Sequence, residues 1–445
     1  MSIPQNLKGR YAYHFTLFDN LESIIDSGLL CTNIKNQRGI SHKDIAEQGI
    51  QGRRSTMPVP CSGGFFVHDY VPFYFSKKTS MQLGVINKKN VDQPLLIYFA
   101  IPIEILELKA GVVFSDSSAN TDTPPNFYNA SSVNMLDSLN WAAIDNKKWG
   151  CPSDVYRHQK MAELLVPGSI QIAEVSYVVV WNEWIKADVE NIFRSKNLQP
   201  PVIRYDGDHY YTNFYEGGTR SIVTGPRSLK QQVEQTISDI QKSTNGPKKY
   251  PSICASLDAI ARNFSSIKEL EDIDGLKASY GPHTDDVGTH SRKVAGGLAQ
   301  LREYNELSDE DKDIVLLAAY FHDIGKGPKS RWGKAGMTQA DNDHAVKSLP
   351  MLKRILTEDI GGLSAECIRK IVLLVTYDDL IGDIVAKGRD EKQLADVITS
   401  ENDLMMLIAL AKADMNSINM TWVMSHNQSI EDLKSRILQA KECNS

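Results

Sequence analysis

Cysteine is scarce and scattered. Cys31, Cys61, Cys151, Cys254, Cys367 and Cys443 are the whole set, and no two form a Cys-x-x-C pair. That argues against a zinc ribbon and against a disulfide framework. Net basic charge is also missing. The chain carries −6 at pH 7 and neither half is basic, so there is no global attraction to nucleic acid. Any nucleic-acid contact must use a local patch, for which Arg53, Arg54, Lys77 and Lys78 are the candidates. No apolar run reaches membrane-spanning length, and the opening MSIPQNLKGRYAYH lacks an apolar signal core. A soluble cytoplasmic protein without a membrane partner is the expectation. What is present is ordinary: 42% hydrophobic and 23% charged residues in a chain of 445, enough for two or three domains.

The most distinctive stretch is GRRSTMPVPCSGGFFVHDYVPFYFS at 52–76. Arginine beside glycine and aromatic faces suits a phosphate-bearing ligand with a stackable ring. A buried aromatic strand with a surface arginine pair is the plainer alternative. Pro72 argues against a central strand. Phe73 and Phe75 are expected in the core, with Tyr70 or Tyr74 toward a ligand. Upstream, YAYHFT alternates like a short strand carrying His14 and Thr16. DNLESIIDSGLL then reads as a short helix that Gly28 ends. PLLIYFAIPI at 94–103 and VSYVVVWN at 175–182 read as core strands, and 114–132 as a long loop. Glu163 is followed by Leu164, Leu165 and Val166. A carboxylate in such a setting can shift toward the range of a general base. An exposed strand-edge glutamate is the alternative.

Four segments, YHFTLFDNLESIIDSGLL, IQGRRSTMPVP, GGFFVHDYVPFYFS and HQKMAELLVP, together with LNWAAI and RYDGDHYY, resemble the DarT family of DNA ADP-ribosyltransferase toxins. The resemblance covers about residues 10–213. It implies an α+β fold shared with poly-ADP-ribose polymerases, NAD as substrate, and single-stranded DNA as partner with thymidine the favoured base. It implies that His14 and Thr16 hold a ribose of NAD. Arg54 would contact the phosphates and position the reacting centre. Glu163 would orient a ribose hydroxyl or take the proton of the target base. The family's usual partner is a macrodomain antitoxin. Lys77-Lys78 departs from the Pro-Arg expected after FYFS.

Residues 216–250 read as a linker with a short helix, in which Ser228 and Gln231 make a capping box and Asn245-Gly246-Pro247 is the stop. From 251 the pattern is helical. GTHSRKVAGGLAQL, IVLLAAYFHDIGKG and LMMLIALAKADMNSI resemble the HD superfamily of metal-dependent phosphohydrolases, an all-α helical bundle. The resemblance implies a divalent metal held by His290, His322, Asp323 and Asp414, with Lys326 and His344 as phosphate contacts or, for His344, a ligand of a second metal. His283 is the rival to His290. The domains are therefore expected at 1–215 and 251–445. The combined reading is an NAD-dependent ADP-ribosyltransferase fused to an HD hydrolase that reverses or modulates the modification, as a toxin or anti-phage effector. Two alternatives stand beside it. One is an NAD- or ADP-ribose-binding module regulating an HD nucleotide phosphohydrolase. The other is transfer to RNA or protein.

Overall fold

The computed structural model describes residues 2–45, 48–120, 123–148, 150–212, 220–243, 246–282 and 284–442. Internal contacts divide the chain into two units, Met1–Ile222 and Val223–Ser445. The first is mixed α/β and the second is dominated by helices. No helix among the described residues is long and apolar enough to cross a membrane.

Ten strands are described in the first unit: β1 Tyr11–Leu17, β2 Leu29–Leu30, β3 Tyr70–Tyr74, β4 Leu96–Pro102, β5 Val113–Ser115, β6 Phe127–Asn129, β7 Glu163–Pro167, β8 Ser169–Ile170, β9 Tyr177–Val180 and β10 Val202–Tyr205. Eight form one sheet in the order β10-β9-β4-β1-β3-β7-β5-β6, and β2 pairs with β8. All pairs are antiparallel except β9 with β10. The first six residues of β4 are buried, as expected of a strand covered on both faces. The 114–132 segment is less of a loop than its composition suggests, because β5 and β6 pair from Val113↔Asn129 to Ser115↔Phe127. Gly28 ends the helix Leu21–Ser27 at φ +79. A Cβ there would lie 2.7 Å from the Ile170 carbonyl oxygen.

The expectation about Pro72 is corrected. It lies in β3, between β1 and β7 in the middle of the sheet. The β3–β7 ladder runs over five pairs, from Tyr70↔Pro167 to Tyr74↔Glu163. The β1–β3 pairing, by contrast, is registered only at Tyr13↔Tyr74. Proline has no N–H to give, so the ladder toward β1 fails where Pro72 would have to donate. A central proline is tolerated because the sheet parts beside it.

In the second unit a helix spans Pro226–Lys242, earlier than the Ser228 capping box predicts. Gly225 is its N-cap and Pro226 occupies the first turn, where a missing N–H costs nothing. Leu229, Val233 and Ile240 on this helix join the core of the helical unit. They pack beside the helices His344–Arg354 and Ala365–Thr376. The other principal helices are Val287–Gly297, Asp309–Phe321 and Glu401–Ile418.

One buried group is placed to make the first unit sensitive to acid. His209 is fully buried between the rings of Tyr13, at 4.5 Å, and Tyr98, at 4.6 Å. Neither imidazole nitrogen has a hydrogen-bond partner among the described residues. Asp206 Oδ2 lies 3.7 Å from Nε2. Burial pushes this histidine from 6.5 down to about 3. Between those values the unfolded chain binds a proton that the folded chain excludes. Stability is therefore full above the unfolded value and is lost as pH falls through this window. His209→Phe should flatten the fall of the denaturant midpoint across this window. An unchanged slope would assign the acid sensitivity to other groups.

Candidate active sites

Where β1 and β3 part, a cavity of about 610 Å³ opens, lined among others by His14, Thr16, Lys35, Arg54, Tyr70 and Tyr74. His14 Nδ1 is 2.8 Å from the Pro72 carbonyl oxygen. A carbonyl only accepts, so the proton sits on Nδ1 and the lone pair on Nε2. Burial, with the charge of Lys35 added, holds this imidazole below its ordinary pKa. Thr16 Oγ1 accepts from Asn20 Nδ2 at 3.0 Å.

Arg54 projects from the helix Gln48–Thr56. Glu163 opens β7, where its backbone N–H donates to Ser115 Oγ at 3.1 Å. The two side chains meet as a bidentate fork, with both N–H···O distances at 2.9 Å. Arg54 is 7% exposed and Glu163 0%. The Ala119 N–H also donates to Glu163 Oε1, at 3.1 Å. Two parallel charge-assisted bonds in a dry setting fix the guanidinium plane. The expectation of apolar surroundings for Glu163 is therefore corrected. Leu164, Leu165 and Val166 are core residues, but the carboxylate itself faces a cation. Arg54 lines the cavity and Glu163 does not, so Glu163 meets the cavity through Arg54 in this conformation.

In the second unit four helices bring imidazoles and carboxylates together. His290 Nε2 lies 2.9 Å from Asp414 Oδ1 and 3.2 Å from His322 Nε2. Asp323 Oδ2 lies 3.7 Å from His290 Nε2 and 3.5 Å from His322 Nε2. His322 Nδ1 donates to the Ala319 carbonyl at 2.8 Å, which fixes the ring as second-sphere bonds do for metal-binding histidines. Lys326 Nζ contacts Asp323 Oδ2 at 2.7 Å. His344 donates through Nδ1 to the Asp341 carbonyl at 2.8 Å. Its Nε2 is 3.4 Å from Asp378 Oδ2 and 3.9 Å from Asp323 Oδ1. A Cβ on Gly325 would overlap the His344 carbonyl, so this glycine permits the close approach of the Asp323 turn to His344.

The donors form overlapping groups: His290, His322 and Asp414; His322, Asp323 and Asp378; His344, Asp378 and Asp379. Burial alone would lower His322, but Asp323, Asp414 and Asp378 outweigh it and push the imidazole up to about 10. His344 is likewise raised, to about 9, by Asp378 and Asp379 against the effect of burial. Burial and Asp379 raise the pKa of Asp378, whose buried Oδ1 has no hydrogen-bond partner among the described residues. Mixed imidazole and carboxylate donors with an orphaned oxygen fit a divalent metal.

Residues 13–212 match the family described as ssDNA thymidine ADP-ribosyltransferase, DarT. Residues 287–406 match the HD domain. The chain carries a DarT-like ADP-ribosyltransferase domain fused to an HD-superfamily domain. A DNA ADP-ribosyl transferase of Thermus aquaticus is 29% identical over 205 residues, spanning 45% of this chain and 88% of that protein. One from Escherichia coli is 25% identical over 201 residues, spanning 43% and 89%. Among solved structures, Thermus sp. 2.9 DarT in complex with ADP-ribosylated ssDNA shows 27% identity and a TM-score of 0.41, covering 47% of this chain and 99% of that one.

Within the DarT-like domain, His14, Thr16 and Arg54 share one cavity, while Glu163 stands behind Arg54. Phe73 and Phe75 are core residues, and Tyr70 and Tyr74 both line the cavity. The four-cation patch does not exist as a surface. Arg54 and Lys78 are buried, Lys77 is ion-paired with Asp206 at 2.6 Å, and only Arg53 is exposed. Sequence reasoning missed Lys35, His42 and His68 in this cavity. In the HD domain His290, His322, Asp323 and Asp414 converge, with Lys326 and His344 beside them. Asp378 and Asp379 were missed. Their signal was a carboxylate pair ending the apolar run IVLLVTYDD. His283 lies outside the described residues.

Proposed function

We propose that the DarT-like domain transfers ADP-ribose from NAD to a base in single-stranded DNA, thymidine favoured, and that the HD domain is a metal-dependent phosphohydrolase acting on the modified product or a related phosphodiester. The observation that carries the reading is the buried Arg54–Glu163 fork on the wall of the cavity that holds His14 and Thr16. In the transfer the bond from nicotinamide nitrogen to ribose carbon breaks, and nicotinamide leaves with the electron pair. A base nitrogen bonds to that carbon and gives up its proton. His14 and Thr16 hold a ribose. Arg54, held in one orientation by Glu163, positions the reacting end. Glu163 takes the base proton only if Arg54 moves aside, and otherwise acts as a positioning residue.

In the HD domain His290, His322, Asp323 and Asp414 would hold a divalent metal, with His344, Asp378 and Asp379 positioned for a second. A bound metal supplies an activated water and neutralises a phosphate oxygen. Lys326, anchored on Asp323, presents positive charge to an entering phosphate. An activity on DNA and NAD favours the cytoplasm. A separate macrodomain that strips the modification is the expected counterpart of such a toxin.

Incubation with NAD and single-stranded oligonucleotides should add one ADP-ribose to DNA. An adduct on RNA or on protein alone would favour the other acceptor classes. Binding of NAD without any adduct would favour the regulatory module. The same assay on His322→Ala reads the HD domain. A rise in adduct means that the HD domain removes it in cis, and no change assigns that domain another substrate.

A further inference from the structure

We propose that Lys35 is the residue that receives the diphosphate of the dinucleotide, a part that resemblance assigns to Arg54. This rests on the reading that the cavity takes NAD. The cavity is lined by three permanent cations, Lys35, Lys43 and Arg54. Arg54 has both terminal nitrogens on Glu163, so the pair is neutral as a unit. Releasing the guanidinium to a phosphate would strand a fully buried carboxylate, which is costly. Lys43 is ion-paired to Asp19 and its side chain is 59% exposed.

Lys35 differs from both. It projects from the helix Thr32–Gln37 and is half-buried. Its ammonium donates to His42 Nε2 at 2.6 Å, and no carboxylate lies within ion-pairing distance among the described residues. An imidazole lone pair satisfies one of three donors, and Asp44 on the same wall offsets the charge only in part, from beyond ion-pairing distance. That charge is felt across the cavity, since it contributes to holding His14, His42 and His68 below their ordinary pKa. For His14 and His42 it is the cation that adds to burial, while His68 feels Arg54 first and Lys35 second. Burial also lowers Lys35 itself, so an arriving anion meets a partly desolvated ammonium and interacts more strongly than in water. Neutral histidines around it leave two donor positions for phosphate oxygens. The two ends of the dinucleotide then divide the labour: Lys35 anchors the diphosphate while the Arg54–Glu163 fork stays intact at the reacting centre.

Calorimetric titration of the full chain with adenosine and with ADP-ribose isolates the diphosphate contribution. Lys35→Met should weaken ADP-ribose by about 10- to 100-fold, the range of one charge-assisted contact, and leave adenosine nearly unchanged. Lys35→Arg keeps the charge and should recover most of the loss. In turnover, KM for NAD should rise in Lys35→Met with kcat nearly constant. Equal weakening of adenosine and ADP-ribose would make Lys35 structural and overturn the proposal, as would ADP-ribose binding within about twofold of wild type. Wild-type protein that binds neither NAD nor ADP-ribose would instead overturn the reading of the cavity, and the proposal with it.

Discussion

Arg54→Ala is expected to abolish transfer and to destabilise the first unit by about 3–5 kcal/mol, because it leaves a buried carboxylate without its counter-charge. Glu163 is 0% exposed, and after the substitution only the Ala119 N–H would still reach Oε1. Glu163→Gln keeps the shape and removes the charge. It should lower transfer by at least about 100-fold with a smaller loss of stability. The decisive comparison is the double variant Arg54→Met with Glu163→Leu. An apolar pair of similar volume can replace a buried ion pair at little cost, so this variant should regain stability and remain inactive. Recovery of both would reduce the fork to a structural device. Recovery of neither would show that the cavity wall cannot be repacked. The coupling is read as a double-mutant cycle in chemical denaturation, with each unit followed by its own probe.

His322→Ala is expected to lower the divalent metal content of the HD domain by at least one ion and to lower hydrolysis of a phosphodiester by more than about 100-fold, beyond the 10–100-fold typical of losing an outer-sphere partner. His322 belongs to two of the three donor groups, and only the third, His344 with Asp378 and Asp379, keeps all its donors after its removal. Asp378→Asn should also reduce metal content, because Asp378 Oδ1 is buried beside the histidines without a hydrogen bond among the described residues. Elemental analysis of the purified variants, beside wild type stripped with a chelator and reloaded, measures both. Full metal content in His322→Ala would remove this histidine from the ligand set. Transfer of ADP-ribose by the same variant should persist, since the fork and cavity lie within the other unit.

The architecture was legible because each half has its own periodicity. Alternating runs such as YAYHFT and PLLIYFAIPI become β1 and β4, and the helical repeats after residue 251 become the bundle that holds the HD residues. Pro72 misled because the rule about proline concerns donors. It does not foresee a sheet that parts at the proline and lets a histidine side chain take up its carbonyl. Glu163 misled because its sequence neighbours point into the core while its partner arrives from a helix more than a hundred residues earlier. Lys77 and Lys78 were counted as surface cations, yet one is taken by Asp206 and the other lies over the Tyr211 ring at 5.6 Å. Asp378 and Asp379 stand as a carboxylate pair at the end of an apolar run, a cue that names no partner. Only packing of the helix Ala365–Thr376 beside His344–Arg354 brings them to His344. Residues carried by a recognisable motif were readable, and those whose cue is only a distant partner were not.

The most direct test of the central claim is the intact mass of a thymidine-containing single-stranded oligonucleotide after incubation with NAD and the full chain. The account predicts a shift of one ADP-ribose that is lost in Glu163→Gln and absent when thymidine is replaced throughout. An unshifted oligonucleotide, with folded protein that still binds NAD, would contradict it.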